Sequence, residues 1–120
     1  MILARLLHFL TTYPDLKGAY GANNGSTVGL VTGLKEAGRT DIVMVGADFS
    51  PEIIDMVNEG EFRVTTVVQQ QYLMGYQSIE TAVALARGEE ISDKTVQTAV
   101  LAVDKNNINN PEVQKIINPS

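Results

Sequence analysis

The chain has 120 residues, 44% of them hydrophobic, a formal charge of −5 and no cysteine. That is one domain's worth of polypeptide, able to bury a modest single core. Its nine Lys and Arg are dispersed, which argues against a nucleic-acid partner, and the missing thiols exclude disulfides, zinc-thiolate sites and cysteine catalysis.

Residues 1–10, MILARLLHFL, place Leu3, Leu6, Leu7 and Leu10 at helical spacing and predict a core-facing amphipathic helix. No basic stretch precedes this apolar run and no small-x-small site follows it. It is also too short to span a bilayer, so we read no secretion signal in it. Four β-leaning segments follow, at 17–22, 41–47, 63–69 and 96–103. The second, DIVMVGA, is almost continuously apolar and predicts a strand buried on both faces.

Helical patterns lie between the strands. Val28, Val31, Leu34 and Ala37 form a stripe closed by Gly38. Ser50-Pro51 reads as an N-cap followed by a first-turn proline, with Gly60 as the stop. A third helix, about 71 to 87, is expected to bury Tyr72, Tyr76, Ile79, Val83 and Ala86 and to stop at Gly88. The Asn-rich tail is expected to be loose, with a short helix near 111–117. Strict alternation predicts an α/β fold, with right-handed βαβ units and a parallel sheet flanked by helices.

In such a sheet, ligands bind beyond the carboxyl ends of the strands. Asn23 and Asn24 follow the first strand, Asp48 follows the second, and Gln69, Gln70 and Gln71 end the third. Amides offer donors and an acceptor, while a carboxylate accepts from two hydroxyls at once. The set matches an uncharged polyhydroxylated ligand, such as a sugar or polyol. Helix capping is the stronger reading for Asn24 and Thr27. For Asp48, a ligand role and a loop role before the Ser50 cap fit the pattern equally.

Residues 21–29, GANNGSTVG, are glycine-rich but lack the Lys-Ser/Thr pair of a phosphate loop and the spacing of a dinucleotide fingerprint. The single histidine, His8, lies on the first helix, away from the proposed edge. No converging metal ligands are apparent, and Glu59, Glu61, Glu89 and Glu90 read as solvated charges at helix ends. Neither an enzyme, a cofactor nor a metal site is expected.

From about residue 11 to 105 the chain resembles the C-terminal portion of ribose-type periplasmic sugar-binding proteins, the substrate-binding components of bacterial ABC transporters. The stretches that carry the resemblance are YPDLKGAYGANNGSTVGLVTGLKEAGRTDIVMVGADFSPEIIDMVNEGEF and TTVVQQQYLMGYQSIETAVALARGEEI. It implies the Rossmann-like lobe of a type I periplasmic binding protein, incomplete here, and an extracytoplasmic parent protein that passes its ligand to a permease. By position it implies sugar-hydroxyl contacts from Asn23, Asp48 and Gln69, with Asn24 as the helix cap where the family usually has Asp. Phe49 stands where the family frequently has Gly and is expected to shape the pocket wall.

The resemblance further implies that residues 1–68 are part of the C-terminal ligand-binding lobe. Residues 69–105 become a hinge crossover, helix and strand that pack on the N-terminal lobe, and 106–120 a polar tail. On this reading the chain is a fragment, and the exposed face of helix 71–87 predicts self-association as a homo-oligomer. The effector domain of a sugar-responsive transcription repressor shares the fold and is the alternative, since TTVVQQ resembles its hinge as well.

Overall fold

The computed structural model describes residues 2–60 and 63–119. Along them run α1 (Ile2–Thr12), β1 (Gly18–Tyr20), α2 (Asn24–Glu36), β2 (Val43–Ala47), α3 (Pro51–Glu59), β3 (Val64–Gln69), α4 (Gln71–Ala86), β4 (Val100–Val103) and α5 (Pro111–Ile117). The helix signals in the sequence are used as expected. Ser50 caps α3 by accepting from the Ile53 N–H, Pro51 opens that helix, and Gly60 ends it in the left-handed region at φ +66°. Gly38 and Gly88 likewise take positive φ just beyond α2 and α4.

The strands lie side by side in the order β1-β2-β3-β4. The first three are parallel, with Tyr20 beside Val45 and Val45 beside Thr65. β4 runs antiparallel to β3, with Val103 opposite Thr66 and Val100 opposite Gln69. The α/β sheet is therefore mixed rather than wholly parallel. An antiparallel neighbour requires no crossover helix packed on the sheet, and no residue of α4 is buried. The predicted burial of Tyr72, Tyr76, Ile79, Val83 and Ala86 is corrected accordingly: all five are exposed.

Because the parallel strands follow one another without reversing direction across the sheet, right-handed crossovers place their helices on the same face. One core results. It joins Val31 and Leu34 of α2, Ile53 and Val57 of α3, and Leu6 and Leu10 of α1 to Met44, Val64 and Val68 of the sheet. β2 is buried on this face alone, since Met44 and Gly46 are buried while Val43 and Val45 are exposed. That corrects the expectation of a strand covered on both sides. Leu7 turns away from the core, and the side chain of Leu3 lies outside the described residues, as does Glu61.

The C-terminal region also departs from expectation. Val103 of β4, Ile108, and Val113 and Ile117 of α5 belong to the same core as α2 and α3. The tail is a packed element rather than a loose one, and Asn110 caps α5 by accepting from the Glu112 N–H. Within the described residues, β4 pairs with β3, and it and α5 share the core of α2 and α3. Only α4 and the irregular segment after it stand apart.

One buried side chain locks α2 to the strand ends. Thr27 has 0% exposure; its Oγ1 donates to Asn23 O at 2.8 Å and accepts from the Ala47 N–H at 3.2 Å. Two glycines, Gly21 just after β1 and Gly46 in β2, allow this approach: a Cβ on Gly21 would lie 2.5 Å from Thr27 Oγ1, and one on Gly46 would lie 2.4 Å from its Cγ2. Gly46→Ala is expected to destabilise the chain by about 1–3 kcal/mol through overpacking, read as a lower denaturant midpoint. Gly25→Ala is the control: its added Cβ meets only Asn23 Oδ1, at 3.8 Å, and it should leave stability unchanged or raise it.

Candidate functional site

The carboxyl ends of β1, β2 and β3 share one edge of the sheet, as their parallel pairing requires. Asp48, immediately after β2, is the centre of what gathers there. Its Oδ1 accepts from Gln69 Nε2 at 2.9 Å, and its Oδ2 accepts from the backbone N–H of Asn24 at 3.3 Å. Asn24 is the first residue of α2, so the carboxylate sits at the positive end of that helix. The first turn of α2 has no acidic residue of its own; Asp48 supplies that charge from a neighbouring strand.

The backbone of Asp48 is held as firmly as its side chain. At φ +69° it is the one non-glycine residue in the left-handed region among the described residues, a conformation that a short polar side chain tolerates better than most. Its N–H donates to Val67 O at 2.9 Å, and its carbonyl accepts from Thr66 Oγ1 at 2.6 Å. Thr66 is buried and contributes through this bond. Sequence reasoning passed over it; the available signal was a hydroxyl at a core-facing position of a valine-rich strand.

The cap role expected of Asn24 falls to its neighbour. Asn23, not Asn24, is the N-cap of α2: its Oδ1 accepts from the Ser26 N–H at 2.9 Å, and Ser26 Oγ accepts from the Asn23 N–H at 3.1 Å. This reciprocal capping box orients the Asn23 side chain and leaves its Nδ2 as a donor. Asn24 contributes its backbone N–H to Asp48. Thr27 is structural but not a cap: it is the fourth residue of α2, and its Oγ1 bonds to Asn23 O and the Ala47 N–H.

Of the three glutamines, Gln69 alone bonds to Asp48. Gln70 Nε2 donates to Ala99 O at 3.2 Å, and Gln71 is exposed at the start of α4. Phe49 is partly buried and packed against the core. His8 is exposed on α1. Among the described residues, no group of three His, Cys, Asp or Glu side chains converges on a metal position.

The arrangement has a definite chemical capacity. A carboxylate has about four lone-pair directions, and two at Asp48 are taken by Gln69 and the Asn24 N–H. Those remaining can accept hydroxyl protons. Gln69 keeps its Oε1 as an acceptor and Asn23 its Nδ2 as a donor, so neighbouring groups of both kinds border one anchored anion. Nothing in the set suits a phosphate, which would require Lys, Arg or several converging N–H groups.

Comparison with known proteins gives a consistent picture. Residues 2–90 match the periplasmic binding protein domain. The chain is 30% identical to the ribose import binding protein of Escherichia coli over 87 residues, 72% of this chain and 29% of that protein. It is also 30% identical over 95 residues to the xylitol-binding protein of Mycolicibacterium smegmatis, 79% of this chain and 27% of that one. An ABC transporter solute-binding protein from Agrobacterium vitis, solved with bound D-fucose, superposes with a TM-score of 0.88 at 32% identity, covering 96% of this chain and 39% of that one. The chain thus spans less than a third of the length of these curated relatives.

The Asp48–Gln69 bond predicts a sign of pH dependence. In Gln69→Glu, a second carboxyl group faces Asp48 Oδ1, and repulsion raises the pKa of one of the pair above its unfolded value. Stability is then retained below the unfolded pKa and lost as pH rises through the raised one. The melting temperature of Gln69→Glu should match the parent chain near pH 4 and fall below it towards pH 7. The expected deficit is on the order of 1 kcal/mol for each tenfold weakening of the acid, measured by thermal melts across that range.

Proposed function

The chain belongs to the periplasmic binding protein family, and on that premise we propose that it carries the hydroxyl-recognising edge of a solute-binding protein for a sugar or polyol. The observation that carries the reading is the anchored Asp48 carboxylate, gripped by Gln69 and the α2 N-terminus at the carboxyl edge of a parallel strand set. Asp48 accepts from ligand hydroxyls, with Gln69 and Asn23 as its bordering amides. Asn24 acts through its backbone on Asp48. Phe49 supports the edge from the core side.

The activity is reversible binding rather than catalysis, because the edge offers hydrogen-bonding groups without a nucleophile–base pair. In the parent protein the captured ligand is handed to a membrane permease, on the extracytoplasmic side, after closure of a second lobe over this edge. The relatives named above are import and solute-binding proteins, which favours transport over the effector domain of a repressor.

Three side chains at about 1–1.5 kcal/mol each give this edge alone an affinity on the order of millimolar. Titration of the isotope-labelled chain with pentoses, hexoses and pentitols should therefore shift the Asn24 backbone amide and the Gln69 side-chain amide at millimolar ligand. Asp48→Asn should abolish those shifts without unfolding the chain. If no sugar or polyol moves either resonance, or if the Asp48→Asn titration is unchanged, the assignment is wrong.

A further inference from the structure

β3 turns Val64, Thr66 and Val68 to the core, at 5%, 2% and 0% exposure. Valine at the middle position would differ from threonine by a methyl in place of the hydroxyl, so packing alone does not ask for a polar group there. The hydroxyl of Thr66 donates to the carbonyl of Asp48 at 2.6 Å. Thr65 points to the opposite face and is half-buried. Thr66 is too deeply buried to touch a ligand, yet it bonds to the residue at the centre of the edge.

That carbonyl faces the core because Asp48 leaves the strand. Ala47 lies beside Val67 in the parallel register, and the Asp48 N–H continues the ladder by donating to Val67 O. The next rung of a parallel ladder would join the Asp48 carbonyl to the Gln69 N–H. At φ +69° the peptide turns the carbonyl inward instead, and Thr66 Oγ1 replaces the backbone donor. In this conformation one carboxylate oxygen meets Gln69 Nε2 and the other meets the Asn24 N–H. A left-handed residue other than glycine persists only where its surroundings hold it. Both bonds on the Asp48 backbone come from β3.

We propose that Thr66 is a positioning residue of the candidate site: its buried hydroxyl selects the left-handed form of Asp48 and thereby aims the carboxylate at ligand hydroxyls. An extended or right-handed Asp48 keeps its N–H bond to Val67 O but swings its side chain off the line between Gln69 and the first turn of α2. Exchanging the hydroxyl for a methyl leaves Asp48, Gln69 and Asn24 chemically intact. Any change at the carboxylate is then transmitted through the peptide of residue 48. The effect on recognition rests on the sugar-or-polyol reading of the edge; the hold on Asp48 does not.

The test separates the hydroxyl from the bulk of the side chain. Thr66→Val keeps the volume and removes the hydroxyl, whereas Thr66→Ser keeps the hydroxyl and removes a buried methyl. Thr66→Ala removes both, so its difference from serine is again the hydroxyl alone. Without ligand, the Asn24 backbone amide and the Gln69 side-chain amide of the valine and alanine variants should move towards their positions in Asp48→Ala. In the serine variant they should stay where the parent chain has them. Each variant is then titrated with the pentose, hexose or pentitol that shifts the parent chain most. Valine and alanine should weaken binding roughly five- to tenfold, the loss of about one hydrogen bond, while serine binds as the parent does. Thermal melts should rank serine below the parent, so that affinity and stability part company. Thr65→Val should match the parent in spectra and affinity. The proposal is overturned if the valine variant keeps the parent resonances. It is overturned equally if serine weakens binding as much as valine, which means that Thr66 acts by packing. If no sugar or polyol binds the parent chain, the functional reading fails, and the ligand-free spectra still decide whether Thr66 holds Asp48.

Discussion

The burial of one threonine hydroxyl sets the geometry on which the candidate site depends. Thr27 sits in the first turn of α2 and is sealed between Gly21, just after β1, and Gly46, in β2. Its Oγ1 bonds to Asn23 O on one side and to the Ala47 N–H on the other. A buried hydroxyl without such partners would cost several times what each bond contributes. The contact therefore tolerates little sliding of the helix along the sheet. It fixes the α2 N-terminus within reach of the residue after Ala47, which is Asp48. Among the glycines of residues 21–29, Gly21 is explained by this approach: it provides space for Thr27, and its φ is not positive.

The strand order follows from equally simple physics and has larger consequences. Two successive right-handed crossovers running the same way put α2 and α3 on one face, and α1 and α5 join the same core. The chain then turns back with an antiparallel β4, which closes the core at Val103 and leaves α4 as an excursion. A half-covered sheet and an uncovered helix thus share one origin, a sheet that never reverses its strand order within this chain.

Local chemistry was readable from the sequence wherever it is decided within a few residues. Ser50-Pro51, Gly38, Gly60 and Gly88 each mark a helix end through a backbone preference that neighbours do not alter. Asp48 and Gln69 were readable as edge residues because strand ends can be placed from hydrophobic runs. What was not readable depends on partners distant in sequence. DIVMVGA has the same apolar run whether one face or two are covered, and nothing in VQTAVLAV states the direction in which it pairs. The tail looked polar because Asn106, Asn107 and Asn110 are abundant, yet Ile108, Val113 and Ile117 carry its packing. Asn23 and Asn24 are equally good caps by type. Which one caps depends on where Thr27 anchors the helix, and that is a contact with Gly21 and Gly46.

Gln69 joins the two themes of the structure. It is the last residue of β3, on the sheet face away from the core, and its Nε2 holds Asp48. Gln70 follows, donating to Ala99 O, and α4 begins at the next residue. The path from the Asp48 carboxylate to the base of α4 is therefore a hydrogen bond and two peptide units. Rotation of α4 about that base must be absorbed by the backbone of Gln69 and Gln70, and Gln70 already lies outside the helical and extended regions at φ −83°, ψ 66°. Gln69 itself is held in the sheet by its pairing with Val100. Residues 69 and 70 thus connect the polar edge to the apolar helix, although the two surfaces share no side chain.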